Sequence, residues 1–422
     1  MTAHVGAGAM PHAKPPLAPL QPANTRMAIR RLIRSVGRTL AVLVPMVAFV
    51  AAPANAEDTA KAAESTSAVL LDFTTGTLLA NRNANLRFQP GSAAKLMTAV
   101  IVFDALAAGE ITQDQTFPVS EHAWRTGGAP ARVTTMFARL KSEVPVIDLL
   151  RGLIIQNAND AAIVLAEGMA GSEEAFAARM NARALELGMT DTRFANPTGY
   201  DSANTHTSAR DLARLAAYVL TRHTPYYTLF SAPDFTWNGI FQRNKNPLLA
   251  EIPGLDGLVS GYSEASGFNG IGSVLRGSRR LVGVVAGHKS SDDRRDALRN
   301  LFDSLDKDYE EVVLYSAGNT VAQARVFGGT VSQVPLRVER SVEILLPRGD
   351  RHDYHLRAVY KGPLSAPVER GRKVGELRVL RDATIVYRAP LVTADAVERG
   401  TVTDRAKDVL RETLFGWWLD EG

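Results

Sequence analysis

Phe88-Gln89-Pro90-Gly91-Ser92-Ala93-Ala94-Lys95-Leu96-Met97-Thr98-Ala99 is the stretch from which the rest of the chain can be read. A Pro-Gly turn feeds a serine, and an apolar run continues through Val100, Ile101 and Phe103 to Gly109. That pattern predicts a helix starting near Ser92 and closing at Gly109. Lys95 falls three residues after Ser92, on the same helical face and one turn in. A hydroxyl becomes a nucleophile when a neighbouring base takes its proton, and here the base is the lysine amine. The partial positive charge of a helix N-terminus favours neutral lysine and steadies a developing oxyanion. Read for structure alone, Ser92 is a helix cap and Lys95 a solvated surface residue, and Ser-x-x-Lys by itself does not decide between the two.

The chain has 422 residues, enough for two or three domains, and contains no cysteine. Disulfides, thiol catalysis and cysteine-ligated zinc are therefore excluded. The formal charge of +4 comes from the first residues: Lys14, Arg26, Arg30, Arg31, Arg34 and Arg38 precede Glu57, with no acid among them. Without those six, 42 basic residues face 44 acidic ones, a charge of about −2, which gives no support to a nucleic-acid partner. The arginines read as the n-region of a secretory signal, Leu40 to Ala52 as its apolar core, and Ala54-Asn55-Ala56 as the cleavage site. Residues 1–56 are thus a leader, with Met27 as the expected true start; the other reading is an uncleaved anchor. Intact mass of the exported protein separates the two, since cleavage removes everything through Ala56.

From 57 to 308 the pattern mixes strands and helices. Ser67 to Asp72 and Leu78 to Ala80, joined through Thr75-Gly76, read as a β-hairpin leading into the Ser92 helix. Val146 to Ile155, Asn159 to Ala170, and segments opening at Ser172 and Thr207 read as helices, Ser172 as a cap followed by acids. Two strand-like runs, Ser266 to Leu275 and Arg280 to Ala286, turn at Arg276-Gly277-Ser278-Arg279, and a last helix spans Arg294 to Leu305. The sum is an α+β layered domain. Between Asp306 and Glu311 the pattern changes to short alternating runs punctuated by Pro347-Arg348-Gly349, Gly362-Pro363 and Gly371, so 309–395 is expected to be a small all-β sandwich. Residues 396–422 form an amphipathic helix whose stripe is Val402, Ala406, Val409, Leu410, Leu414 and Trp417; with Trp418 it suits a membrane interface, or it packs on its own domain.

The Ser92-Ala93-Ala94-Lys95 motif, with its preceding hairpin, resembles the serine D-alanyl-D-alanine carboxypeptidases, the low-molecular-mass penicillin-binding proteins, whose other motifs are Ser-x-Asn and Lys-Thr-Gly. The fold this implies is the β-lactamase and penicillin-binding-protein type. The resemblance runs on through Leu346-Pro347-Arg348-Gly349, Gly362-Pro363-Leu364 and Ala366-Pro367-Val368 to that family's C-terminal domain and its membrane-associated end. Two motifs depart from the pattern. At Asn157-Ala158-Asn159 the serine is replaced by Asn157, an amide that cannot relay a proton as a hydroxyl does, while Asn159 fits the position that hydrogen-bonds substrate and lysine. At Val259-Ser260-Gly261 a hydroxyl survives in Ser260, but the lysine is replaced by Val259.

In the family that lysine binds near the terminal carboxylate of the substrate. Removing one partner of a buried charge pair costs roughly 2–5 kcal/mol. A second ammonium also pushes the base lysine's pKa down from about 10.4 toward the 7–8 that a base needs. Without it, burial must supply the shift. Arg294 and Arg295 resemble the family's carboxylate-binding arginine, and Arg295 is assigned that role. The resemblance then implies Ser92, Lys95 and Asn159 as catalytic residues and Asn157, Ser260, Gly261, Tyr262 and Arg295 as substrate-binding, with the N–H groups of Ser92 and Tyr262 as oxyanion hole.

No G-x-S-x-G or His-Glu-x-x-His occurs, and Gly270-Ile271-Gly272 lacks the third glycine of a dinucleotide loop. No metal or cofactor is expected. The expected activity is removal of the terminal D-alanine from peptidoglycan stem pentapeptides through an acyl-enzyme on Ser92. β-Lactams would be covalent inhibitors, and the protein would sit in the periplasm on the outer face of the inner membrane. The alternative, carried by Val259 and Asn157, is a peptidoglycan- or penicillin-binding scaffold with little or no turnover.

Overall fold

The structure, a computed structural model, describes residues 2–4, 65–349, 354–381 and 384–410, apart from 404 and 407. The expected signal segment and the terminal helix beyond 410 lie outside the described residues. Thr2–His4 pair with the strand Tyr354–Tyr360.

The first domain is built on a five-stranded antiparallel sheet. Its strands are β1 (Ser67–Asp72), β2 (Thr77–Arg82), β3 (Leu255–Ser263), β4 (Gly267–Arg276) and β5 (Arg279–His288), in the order β2-β1-β5-β4-β3. The two hairpins follow the local pattern: β1 and β2 turn at positive-φ Gly76, β4 and β5 at positive-φ Gly277. β3 is an edge strand: among the described residues no strand pairs with its outer side.

Helices cover both faces. On the front, α1 (Lys95–Ala108) is buried nearly all round, as a helix apolar on every face must be. It is packed by α2 (Val146–Ile155), α3 (Asn159–Ala170) and the helices Glu173–Glu186 and Ala209–Arg222. Ser172 and Ser208 cap the last two by accepting from Ala175 N and Asp211 N. On the back, α4 (Ser291–Asp308) sets Leu298, Phe302 and Leu305 against Leu70, Val274, Leu281 and Val285. Gly272 and Gly283 clear the space Phe302 fills.

The second domain begins at Tyr309, directly after α4. A ladder of Tyr309–Tyr315 with Val342–Pro347 packs against a larger mixed sheet containing Thr320–Phe327, Gln333–Val338, Tyr354–Tyr360, Lys373–Arg381 and Thr384–Thr393. The inward alternation of Val334, Leu336 and Val338 is that of a sandwich strand.

The domains are joined by polar contacts from β5 and β2. Arg279, buried, bonds both the fully buried Asp72 of β1 and Glu311 of the second domain. Thr77 Oγ1 donates to Val386 O at 2.7 Å, and Tyr309 OH to Leu79 O at 2.5 Å. Removing one partner of a buried ion pair strands the other. Arg279→Met is therefore expected to lower unfolding free energy by about 3–5 kcal/mol, partly restored by the added change Asp72→Asn, as read by denaturant titration.

Candidate active site

Ser92 sits not in the α-helix itself but in a 3-10 turn, Gly91–Ala94, that precedes it; α1 starts at Lys95. The residues at the cap positions are Pro90 and Ala94, so the Ser92 hydroxyl is free of a capping role. The turn is clamped from both sides. A Cβ on Gly91, whose φ is +51°, would collide with the Tyr262 carbonyl, and a Cβ on Gly199 would collide with the carbonyl of Gly91. Gly261 of β3 leaves only 2.5 Å between a would-be Cβ and the Pro90 carbonyl. Asn269 Nδ2 donates to that same carbonyl at 3.0 Å, and Gln89 N donates to Ser266 Oγ at 2.9 Å. Glycine at 261 is thus what brings the free edge of β3 against the serine turn.

Lys95 is buried. Its Nζ donates to the Thr198 carbonyl at 2.8 Å and stands 3.5 Å from Ser92 Oγ. Thr198 is held in turn by Asn196, whose Oδ1 accepts from Thr198 Oγ1, Gly199 N and Tyr200 N. Burial lowers the amine's pKa from 10.5 to about 7, against an opposing pull from the negative charge of Asp160. The base therefore reaches its working range without the second ammonium that Val259 has replaced. Val259 pairs with Ile271 and packs, half-buried, on the front core.

Asn157 occupies a left-handed position, φ +58°, which asparagine tolerates, and its buried Oδ1 has no partner among the described residues. Asn159, buried, opens α3 and donates its N–H to Thr134 O at 2.8 Å. The next residue, Asp160, passed over in the sequence, is completely buried. It accepts from Thr135 Oγ1 at 2.5 Å, Met136 N at 3.0 Å and Ala138 N at 3.1 Å. It ties the 134–138 segment to the start of α3, and desolvation raises its carboxyl pKa against those bonds.

Ser260 pairs with Gly270, so the two share the face on which the Arg294 side chain packs beside Gly270. Tyr262, 53% exposed, pairs with Phe268, their rings 4.7 Å apart.

The assignment of carboxylate recognition to Arg295 needs correction. Arg295 is engaged on its own helix, bonding Asp292 at 2.7 Å and Asp296 at 2.8 Å. Arg294 instead is buried, its guanidinium 5.8 Å from the centre of the Phe268 ring. It donates to Ser291 Oγ at 2.7 Å, its buried Nε has no partner, and no carboxylate among the described residues lies within ion-pair distance. Burial pulls its pKa down, offset by Glu251. The reason is helix phase: α4 is capped by Ser290 and starts at Ser291, so 294, 298, 302 and 305 face the sheet and 295 turns away. Asn196, Thr198 and Asp160 were also missed. The turn-rich run Asn196-Pro197-Thr198-Gly199 was a visible signal for a loop, though not for its position over Lys95.

Only neutral Lys95 can take the Ser92 proton. The second-order rate of Ser92 acylation by benzylpenicillin is therefore expected to rise about tenfold per pH unit below pH 7 and to level off above it, in stopped-flow measurements.

The D-alanyl-D-alanine carboxypeptidase family matches residues 53–290, and the C-terminal domain of penicillin-binding protein 5 matches residues 309–399. D-alanyl-D-alanine carboxypeptidase DacD of Salmonella typhimurium is 33% identical over 383 residues, 88% of this chain and 97% of the relative. DacA of Escherichia coli is 30% identical over 361 residues, 84% of this chain and 89% of the relative. Among solved structures, penicillin binding protein 5 from Haemophilus influenzae superposes with a TM-score of 0.67 at 30% identity, covering 79% of this chain and 97% of its own. With a serine hydroxyl, a buried amine and an open strand edge gathered at one turn, and with relatedness over nearly the whole length, the chain belongs to the serine D-alanyl-D-alanine carboxypeptidases, the low-molecular-mass penicillin-binding proteins.

Proposed function

We propose that Ser92 attacks the carbonyl between the last two D-alanines of a peptidoglycan stem pentapeptide while Lys95 takes its proton. The observation that carries this is the buried amine 3.5 Å from Ser92 Oγ with its pKa lowered to about 7. The amine then returns the proton to the departing D-alanine nitrogen, and water resolves the ester, with Lys95 again as base. N–H groups of Ser92 and Tyr262 hold the oxyanion, since β3 and the serine turn are in direct contact. Asn157 and Asn159 bind the peptide's amides, and Ser260 with Arg294 binds its terminal carboxylate. β-Lactams, as mimics of that terminus, acylate Ser92 and remain.

The protein is further proposed to act in the periplasm, exported by the signal segment and held peripherally on the outer face of the inner membrane by residues 396–422. Val402, Val409 and Leu410, 73%, 53% and 63% exposed, support that placement. A chain ending at Asp395 should then lose most of its sedimentation with anionic vesicles, and equal pelleting would remove the membrane from the reading.

Ser92→Ala should abolish both D-alanine release and the benzylpenicillin adduct in intact mass; in the wild-type protein an adduct without release would indicate slow deacylation, and neither adduct nor release would point to the scaffold reading. Arg294→Ala should raise KM for a D-alanyl-D-alanine peptide about 30-fold or more, the cost of stripping one partner from a desolvated charge pair. Arg295→Ala should leave it within twofold, and the reverse order would restore the original assignment.

A further inference from the structure

Next to the serine turn lies an open cleft of about 570 Å³ that none of the proposed steps uses. It is lined by Arg87, Phe88, Ala265, Ser266, His288 and Lys289, among others. His288 is 9% exposed, its Nε2 is buried without a partner, and neither ring nitrogen is claimed by another described residue. Lys289 is exposed and has no ion-pair partner among the described residues; Arg87 is shared with Asp191 at 3.0 Å. Arg82 and Arg294 add positive charge at His288, against Asp293 alone on the acidic side. The cleft is thus cationic, with an uncommitted imidazole in its wall.

Its position relative to the site follows from register. His288 pairs with Phe268, and Phe268 with Tyr262. Two strand spacings of about 4.8 Å put the cleft wall about 10 Å from Tyr262. A peptide with its terminal carboxylate at Ser260 and its scissile carbonyl at Ser92 and Tyr262 continues along β3 toward Ser263. Its upstream residues then reach the Ala265–Ser266 turn, which forms one side of the cleft. About three extended residues carry the peptide from the scissile carbonyl to that turn; His288 lies beyond it, on the side of β3 away from its open edge.

We propose that this cleft is an anion subsite that binds a free carboxylate on the acidic residue upstream of the two D-alanines, with Lys289 and His288 as its principal contacts. The inference rests on the stem-peptide reading above. It makes the enzyme selective for the charge state of the peptide far from the bond it breaks.

The test uses the full chain and two synthetic stem pentapeptides that differ only in carrying a carboxylate or a carboxamide on the second residue. Wild-type kcat/KM should favour the carboxylate by about fivefold, the scale of one partly exposed ion pair. In Lys289→Gln and in Arg82→Gln/Lys289→Gln that preference should shrink to within twofold, while release from the carboxamide peptide stays at the wild-type rate. Equal rates on both peptides in the wild type, or a preference that survives the double change, overturns the subsite. Should no form release D-alanine from either peptide, it is the hydrolase reading that fails. The cleft is then read from the His288 imidazole resonances of histidine-labelled Ser92→Ala protein. A saturable shift with the carboxylate peptide alone supports the subsite, and no shift refutes it.

Discussion

The chemistry of this protein depends on an amine held out of water. Among the described residues Lys95 has one short hydrogen bond, to the Thr198 carbonyl, and the carboxylate whose charge acts on it, Asp160, is spent on Thr135, Met136 and Ala138. A displacement from 10.5 to about 7 corresponds to about 5 kcal/mol disfavouring the folded state. The sign follows from proton binding: below pH 7 the full cost is present, and it fades as pH rises toward 10.5, where the unfolded lysine also becomes neutral. The large apolar core around α1 offsets it. Stability is exchanged for a base that is ready at neutral pH.

This bears on the two departures from the family's motifs. An ammonium at position 259 would add charge repulsion to a shift that desolvation already provides, so Val259 leaves the base intact. What it takes away is a cation near the substrate's carboxylate, and Arg294 is the buried cation left on that side of β3. Asn157 stands where the family pattern has a hydroxyl, and an amide cannot relay a proton as a hydroxyl does. Deacylation is the step where such a loss would be felt.

Placement of these groups is a matter of close approach. Gly91, Gly199 and Gly261 meet where a side chain on any of them would strike a neighbouring carbonyl. The serine turn is wedged between the Asn196–Tyr200 loop and the open edge of β3, and Ser92, Lys95 and that strand form one packed unit. The second domain docks at the other end of the sheet through Arg279, remote in sequence and contact from that unit.

The amino-acid sequence by itself determined the hairpins, the capped helices and the change to an all-β domain, and it pointed to Ser92 and Lys95 as the candidate nucleophile and base. These are local properties: a turn followed by an apolar helix, alternation of period two, a serine before acids. It also showed Val259 and Asn157 as departures. Tertiary structure alone decided how far the Lys95 pKa falls, because desolvation is set by elements that lie as far along the chain as Thr198. It alone put Arg294 and not Arg295 against the sheet, because one residue of helix phase, fixed by the Ser290 cap and the packing of Leu298 and Phe302, reverses which side chain faces inward. Spacing along the chain cannot report burial, and at this site burial is what turns a lysine into a base.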